Sequence, residues 1–180
     1  MRRLWIKLHL WMASFLATIL LMIAVSGGLY LFGEKGTTDE TKIVISDKVA
    51  IDLNHPSLEM SVRSLFLEVG IEHDFEYIKR SGTMLVTRPT SRTYYEIQLG
   101  TDALSMTRHD PDWIKVIVEL HKGHGPEMYK RFQQFTAAGL IFILLSGLWL
   151  GISSKGLRVQ TLGAVGLGVL MFAVLAFMQP

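Results

Sequence analysis

The acidic residues of this chain are confined to one part of the sequence. All 16 Asp and Glu residues lie between Glu34 and Glu127. On either side lie runs without any Asp, Glu, Lys or Arg: Leu10–Phe32, Phe132–Ser154 and Val159–Met178. Each run is about 20 residues long, which is enough for an α-helix rising ~1.5 Å per residue to cross the hydrocarbon core of a bilayer. The sequence therefore predicts three transmembrane helices, with a polar domain between the first and the second.

The basic residues outside the polar stretch predict the orientation. Arg2, Arg3 and Lys7 precede the first apolar run, and Lys155 and Arg158 separate the second from the third. Basic loops stay in the cytoplasm, so the polar stretch is expected in the periplasm of a bacterial inner membrane. The predicted segments are 1–33 (cytoplasmic N-terminus and helix 1), 34–131 (periplasmic domain), 132–154 (helix 2), 155–158 (cytoplasmic loop) and 159–180 (helix 3 and a short periplasmic tail).

Composition excludes several function classes. The chain has no cysteine, which rules out disulfides, thiolate chemistry and cysteine-ligated iron–sulfur clusters. Membrane topology and contact with anionic lipid account for the basic ends, so membrane lipid is an expected partner and nucleic acid is not. The first apolar run is longer than the roughly 15 residues of a signal-peptide core, so we expect an uncleaved anchor helix.

The polar stretch has the pattern of a small α+β domain. Apolar residues at helical spacing predict a helix that begins after His55-Pro56 and ends near Val69. Turn residues separate short strand-like segments, and an antiparallel sheet is the economical arrangement for them. The predicted strands are Lys42–Ile45, Val49–Leu53, Phe75–Lys79, Met84–Thr87, Tyr94–Leu99 and Ala103–Thr107. A further helix, Trp113–His121, precedes the second apolar run.

His9 is a candidate ligand near the cytoplasmic end of the first apolar run. Ala13 and Ala17 follow four and eight residues later, so on a helix they lie on the same face. An imidazole above a groove of small residues is what axial ligation of haem requires. The alternative is an interfacial histidine whose ring only reaches toward the lipid headgroups. Position alone leaves both interpretations open.

His121 and His124 are the second candidate pair, at the outer end of the second span. Neutral imidazole is a good iron ligand, and the neighbouring glycines leave space around it. One of the two could ligate haem, or both could bind a metal ion together. The alternative is a solvated helix end. His55 is interpreted as a helix-start residue, and His73 and His109 are expected at the surface. Ser26-Gly27-Gly28 and Ser146-Gly147 are interpreted as packing positions.

Several motifs resemble the PepSY-associated transmembrane family. The opening segment from Arg3 to Trp11, with His9 entering the first span, resembles that family's basic and aromatic start. Ser26-Gly27-Gly28-Leu29, Leu120-His121 and Ser146-Gly147-Leu148-Trp149 resemble its short signatures, and residues 57–108 resemble a PepSY domain with Tyr95-Glu96-Ile97 in a strand. One turn departs from the family pattern, since Gly100-Thr101-Asp102 stands where Asp…Thr-Gly is usual.

The resemblance implies a function. Relatives include inner-membrane ferric reductases that carry haem on histidines, and a three-span chain is similar to the small reductases that assist ferrous-iron uptake. It implies haem b on His9 and His121, with His124 next. It also implies a cytoplasmic or quinol electron donor, a periplasmic Fe(III) acceptor and a ferrous iron transporter as partner. Two alternatives remain: a membrane-anchored PepSY binding or regulatory module without cofactor, and an iron-handling accessory protein that binds iron through His121, His124 and nearby acids.

A homodimer is the expected assembly. His9 and His121 are predicted on opposite sides of a hydrocarbon layer about 30 Å thick, so they cannot share one haem within a chain. A twofold axis brings two copies of each histidine together. Small residues four apart, such as Gly147 and Gly151, would also let helices approach closely.

Overall fold

The computed structural model of the 180-residue chain describes residues 1–45, 51, 57–100 and 104–178. Most of the strand expected at Val49–Leu53, the helix start at His55 and most of the turn at Gly100-Thr101-Asp102 lie outside these residues. The five helices are α1 (Arg2–Leu31), α2 (Leu58–Glu68), α3 (Trp113–His121), α4 (Glu127–Ile152) and α5 (Arg158–Phe177). The five strands are β1 (Thr38–Ile43), β2 (Tyr77–Ser81), β3 (Met84–Arg88), β4 (Tyr94–Leu99) and β5 (Leu104–Pro111).

Three of the described helices, α1, α4 and α5, are long and apolar enough to cross a membrane. They coincide with the three apolar runs of the sequence. Their surfaces are largely exposed apolar side chains, and no residue of α5 is buried across its whole length. Side chains of this kind are stable on a helix surface when lipid rather than water surrounds them. The finding supports a multi-pass membrane protein.

The chain divides into two compact units. One comprises Met1–Leu20 and Gln134–Pro180, and the other comprises Leu21–Gln133. The first unit therefore contains the start of α1, most of α4 and all of α5, while the second contains the sheet, α2 and α3.

In the first unit, α1 and α4 pack closely. Leu16 is fully buried and Ile19 is 7% exposed. Gly139 of α4 faces Leu16, and a methyl group at Gly139 would collide with the Leu16 side chain. A glycine at this point lets the Leu16 side chain of α1 pack directly on the backbone of α4.

In the second unit, a five-stranded antiparallel sheet has the order β1-β5-β4-β3-β2. One face of α2 packs on it, as the helical spacing of apolar residues predicted. The buried core consists of Val62, Leu65, Phe66, Phe75, Leu85, Tyr95, Ile97 and Met106. Alternation places Leu85, Ile97 and Met106 on the same face of three neighbouring strands. The small α+β domain expected from the sequence is present.

A tight connection fixes the start of α3. The Asp112 carboxylate caps this helix by accepting a hydrogen bond from Lys115 N at 2.7 Å, and its other oxygen accepts from Thr37 N at 2.9 Å. Hydrogen bonds from backbone N–H groups, that of Lys115 first, hold the pKa of Asp112 below its usual value. Gly36 has φ +72, and any side chain there would collide with the Lys115 backbone. The segment entering β1 is thereby joined to the helix that ends at His121.

Candidate functional site

His9 lies on α1 and contacts α4. Its Nδ1 is 2.8 Å from the Ser146 hydroxyl. Ser146 is only 4% exposed, and the same hydroxyl donates to Ile143 O at 3.1 Å. Such bonds from a serine to its own helix backbone satisfy the hydroxyl proton in an apolar surrounding.

These contacts favour one tautomer of the His9 ring. A hydroxyl has one proton, and Ser146 uses it on a carbonyl, which cannot donate. Both contacts are hydrogen bonds only when His9 Nδ1–H donates to the serine oxygen. The other nitrogen, Nε2, of the neutral ring then has a free lone pair, which is the form of imidazole that ligates a metal.

The neighbouring glycine gives the ring its space. A methyl group at Gly147 would come within 3.3 Å of His9 Cε1. Beside this position, a mostly apolar cavity of about 350 Å³ is lined by Trp5, Phe142, Leu145, Ser146 and Trp149. The small residue next to the imidazole is therefore on α4, whereas the sequence predicted a groove at Ala13 and Ala17 on α1 itself.

His121 has a matching arrangement in the second unit. Its Nδ1 is 2.9 Å from the hydroxyl of Ser26, which is 1% exposed. The Ser26 hydroxyl also lies 2.8 Å from Met22 O and 3.1 Å from Ile23 O, so its one proton is directed to the carbonyls of its own helix. The proton argument made for His9 applies again, so His121 donates from Nδ1 and has a free lone pair on Nε2.

The cavity at His121 is also apolar and contains a glycine contact. A methyl group at Gly27 would come within 3.2 Å of His121 Cε1. The cavity has a volume of about 250 Å³ and is lined by Ser26, Gly27, Tyr30, Val118, His121 and Lys122.

The end of α3 is stabilised around His121. The helix stops there because Gly123 has φ +75, a conformation that glycine adopts readily. Gln133 of α4 donates from Nε2 to the carbonyl of Leu120 at 2.7 Å. The same carbonyl also accepts from Gly123 N at 3.1 Å, so two donors satisfy it at the helix end.

The chain thus contains the same arrangement twice: a histidine whose Nδ1 bonds a buried serine and whose ring touches the glycine after that serine. The interpretation of Ser26-Gly27 and Ser146-Gly147 as packing positions was incomplete, because both serines also bond histidines. One signal in the sequence could have indicated this. A Ser-Gly dipeptide recurs in two otherwise apolar helices, and the chain has a histidine near the end of a helix for each.

His124 has different partners from His121. Its Nδ1 is 2.6 Å from Glu119 Oε2, and that carboxylate also accepts from Thr90 at 2.7 Å and Lys122 at 2.7 Å. Burial alone would raise the pKa of Glu119, but hydrogen bonds from Lys122, Thr90 and His124 outweigh it and lower this pKa to about 2. Burial lowers the pKa of His124, which the bond to Glu119 only partly offsets.

The structure corrects the surface positions predicted for His73 and His109. His109 is 5% exposed and stacks on Tyr94, with ring centroids 4.8 Å apart. His73 is half-buried against Phe66 and Tyr95, and its pKa is lowered first by burial and then by Arg92. Both rings belong to the packing of the sheet domain.

The candidate ligands are single imidazoles, a donor set that could serve an axial haem position but does not form a metal-binding cluster in the described residues. Among residues 1–45, 57–100 and 104–178, no three His, Asp or Glu side chains converge to hold a metal. His121 and His124 are bonded to Ser26 and Glu119 respectively, so the structure does not bring them together. Each candidate site offers one imidazole with Nδ1 near a serine hydroxyl and a glycine beside the ring; His121 lines its apolar cavity, whereas Ser146 and not His9 lines the cavity of the first unit. These are the features that an axial haem ligand requires.

The comparison with known proteins agrees with the sequence motifs. The chain matches the PepSY_TM-like family over residues 3–179. No curated protein and no solved structure shows significant similarity to it. The match includes all three apolar helices and the sheet domain between them. This protein therefore belongs to the PepSY_TM-like family of membrane proteins.

Proposed function

We propose that the protein binds haem b in the bacterial inner membrane and transfers electrons to periplasmic Fe(III), in support of iron uptake. The observation that carries this proposal is the repeated histidine arrangement. His9 and His121 each have Nδ1 within hydrogen-bond distance of a buried serine whose hydroxyl also contacts a carbonyl of its own helix, an arrangement that would leave Nε2 available for iron. A hydrogen-bond partner on Nδ1 orients a ligating ring and increases its basicity. Two lone histidines on a protein surface would not need buried serines to orient them.

A homodimer would complete both sites. Each arrangement supplies one imidazole from one chain. The cavities of about 250 and 350 Å³ are also small, since pockets for drug-sized ligands have volumes of roughly 300–1,000 Å³. A twofold axis would place a second copy of the same histidine opposite the first. His9 from two chains would then ligate one haem, and His121 from two chains another.

The charge distribution supports the orientation in this proposal. By the positive-inside rule, two basic clusters support a cytoplasmic location for the His9 end of α1: Arg2, Arg3 and Lys7, and Lys155 and Arg158. The sheet domain and His121 then lie in the periplasm. Electrons would come from a cytoplasmic or quinol donor, and Fe(III) would receive them outside. A ferrous iron transporter is the natural partner for the product.

Bound haem would supply the one-electron redox chemistry. The residues of the chain would hold and orient it. Ser146 and Ser26 would fix the imidazole tautomer, Gly147 and Gly27 would leave room at the ring edge, and the apolar cavity walls would exclude water.

The test is haem content and visible absorption, oxidised and reduced, of full-length protein purified in detergent from haem-supplied cells. Wild type is compared with His9→Gln and His121→Gln. We expect a band that shifts on reduction, and each variant is expected to lose about half of the haem, because each removes one of two symmetric sites. His73→Gln is the matched control, since His73 packs inside the sheet domain and its loss should leave haem content unchanged.

Other results would contradict the proposal. Wild-type protein without haem would favour the membrane-anchored regulatory module, in which the sheet domain alone binds a partner. Full haem content in both His9→Gln and His121→Gln would remove these residues as ligands. Haem bound to a monomer would exclude the shared sites.

A further inference from the structure

A polar groove in the sheet-domain unit has no role in the preceding proposal. It has a volume of about 270 Å³ and lies between strands β2 to β4 and the polar face of α3. Its lining is mainly polar, unlike the cavity at His121. The residues that line it are Lys79, Ser81, Met84, Val86, Arg88, Thr90, Tyr94, Glu96, Lys115, Glu119, Lys122 and His124.

The charges of the groove do not balance. It contains four permanent cations, Lys79, Arg88, Lys115 and Lys122, against the two carboxylates of Glu96 and Glu119. Glu119 already pairs with Lys122 at 2.7 Å and lies 3.8 Å from Lys115. Lys79 and Arg88 have no ion-pair partner among the residues that the structure describes. The groove is therefore a concave site with more positive than negative charge.

Arg88 is the least expected of these cations. It is only 8% exposed, although burying an unpaired charge is costly. Its Nη1 donates to Thr90 Oγ1 at 2.8 Å, but its buried Nε has no hydrogen-bond partner in the described part of the chain. The Nε–Nη2 edge of a guanidinium is the edge that binds a carboxylate through two parallel hydrogen bonds.

We propose that this groove binds a small anion with several carboxylate groups. One carboxylate would pair with the Arg88 guanidinium, and others would lie near Lys79 and Lys115. Ser81 and Thr90 add hydroxyl groups to the same wall. Ligand binding would compensate the buried charge that the protein alone leaves unpaired.

The groove also adjoins the candidate ligand site. Lys122 lines both the groove and the apolar cavity that contains His121. If the proposed electron transfer is correct, on which this step rests, the natural ligand is a carboxylate chelate of Fe(III), held one side chain away from the His121 site. Anionic chelation would then select the form of iron that the protein reduces.

Citrate is the probe for the test, titrated by isothermal calorimetry into full-length protein in zwitterionic detergent. We expect saturable binding, one citrate per chain, that weakens as salt increases. Arg88→Gln should weaken binding by at least about tenfold, since it removes a charge-assisted hydrogen-bonding fork. Lys79→Gln should weaken it by about twofold to fivefold. Lys42→Gln is the matched control: it removes the same charge from exposed β1, outside the groove, and should leave binding unchanged.

Arg88 is buried, so a fold defect could obscure the Arg88→Gln result. The double variant Lys79→Gln/Lys115→Gln replaces it in that case and should lower affinity by about tenfold, the product of two exposed contacts. Citrate binding that neither change reduces would overturn the proposal, as would no binding at all. Tighter binding of inorganic phosphate than of citrate would overturn the carboxylate assignment.

A redox-inert ligand separates this inference from the proposed function. Gallium(III) citrate has the charge and shape of a ferric chelate but is not reduced under these conditions. Binding of gallium citrate to protein that carries no haem would support the groove and contradict the electron-transfer function. Haem-loaded protein that binds neither citrate nor gallium citrate would support the electron-transfer function and contradict the groove proposal.

Discussion

At the scale of single residues, Glu119 is a buried carboxylate with a strongly lowered pKa. Its side chain is 5% exposed and lies within hydrogen-bond distance of Lys122, Thr90 and His124. The folded pKa of about 2 is below the ordinary value of 4.5. Such a carboxyl stabilises the fold fully above pH 4.5, and this contribution is lost as the pH falls toward 2. The shift corresponds to at most about 3 kcal/mol of unfolding free energy.

We therefore expect Glu119→Gln to lower the thermal unfolding midpoint at pH 7 and to reduce its dependence on pH between 4.5 and 2. Thermal unfolding of the full-length protein in detergent, followed by circular dichroism at several pH values, measures both. Glu127→Gln is the control, because Glu127 is 57% exposed and its pairs with Lys130 and Arg131 are long. Such surface pairs contribute about 0–1 kcal/mol. Parallel pH curves for wild type and Glu119→Gln would show that the network does not stabilise the fold.

The sequence pointed to His9 and His121 but not to their partners. Both histidines stand out locally, one near the start of an apolar helix and one at the end of an amphipathic helix. Ser146 is 137 residues from His9, and Ser26 is 95 residues from His121. Which faces of two apolar helices meet depends on packing between them, and local periodicity does not carry that information. His109 was misplaced for a similar reason, because its neighbours are charged while its own side of β5 stacks on Tyr94.

At the scale of elements, the long apolar helices and the alternating strands were predictable from the sequence, and the bounds of the polar edge strand were not. The strands β2 to β4 begin and end within two residues of their predicted bounds. The strand predicted at Lys42–Ile45 overlaps β1 only at Lys42 and Ile43, because residues 38–41 are polar and mostly exposed and form a strand only through antiparallel pairing with β5. Such an edge strand has little hydrophobic pattern of its own, since neighbouring backbone groups rather than buried side chains define it.

The pairing of α1 with α4 gives a prediction at this scale. Gly139, Ser146 and Gly147 lie on one face of α4, against Leu16, Met12 and His9 of α1. Gly139→Val should destabilise the protein by about 1–3 kcal/mol, because the added side chain overlaps buried Leu16 and forces the helices apart. Differential scanning fluorimetry in detergent measures the loss.

Gly163→Val is the matched change on α5, where a side chain meets nothing within 4 Å. It should leave the unfolding temperature nearly unchanged. Equal destabilisation by both changes would point to a general cost of valine in a membrane helix. No destabilisation by Gly139→Val would mean that α1 and α4 do not pack as described.

At the scale of the whole molecule, charge segregation predicts which side of the membrane each part occupies. Five basic residues lie at the N-terminus and between α4 and α5, and all acids lie between α1 and the first turn of α4. Moving the acidic domain to the cytoplasm would carry both basic clusters across the membrane, against the positive-inside rule. The family match and the three apolar helices support membrane insertion, and the charges predict its direction.

The absence of cysteine makes this orientation measurable without background from the protein itself. Ser105→Cys places a thiol at an exposed position of β5, and Ser153→Cys places one in the loop after α4. In intact spheroplasts, a membrane-impermeant maleimide should label the Ser105→Cys protein at once and the Ser153→Cys protein only after permeabilisation. The reverse pattern would put His9 on the outside, and the direction of electron flow in our proposal would then be wrong. Labelling of both thiols in intact spheroplasts would show that α4 does not cross the membrane between them. That result would contradict the three-span topology.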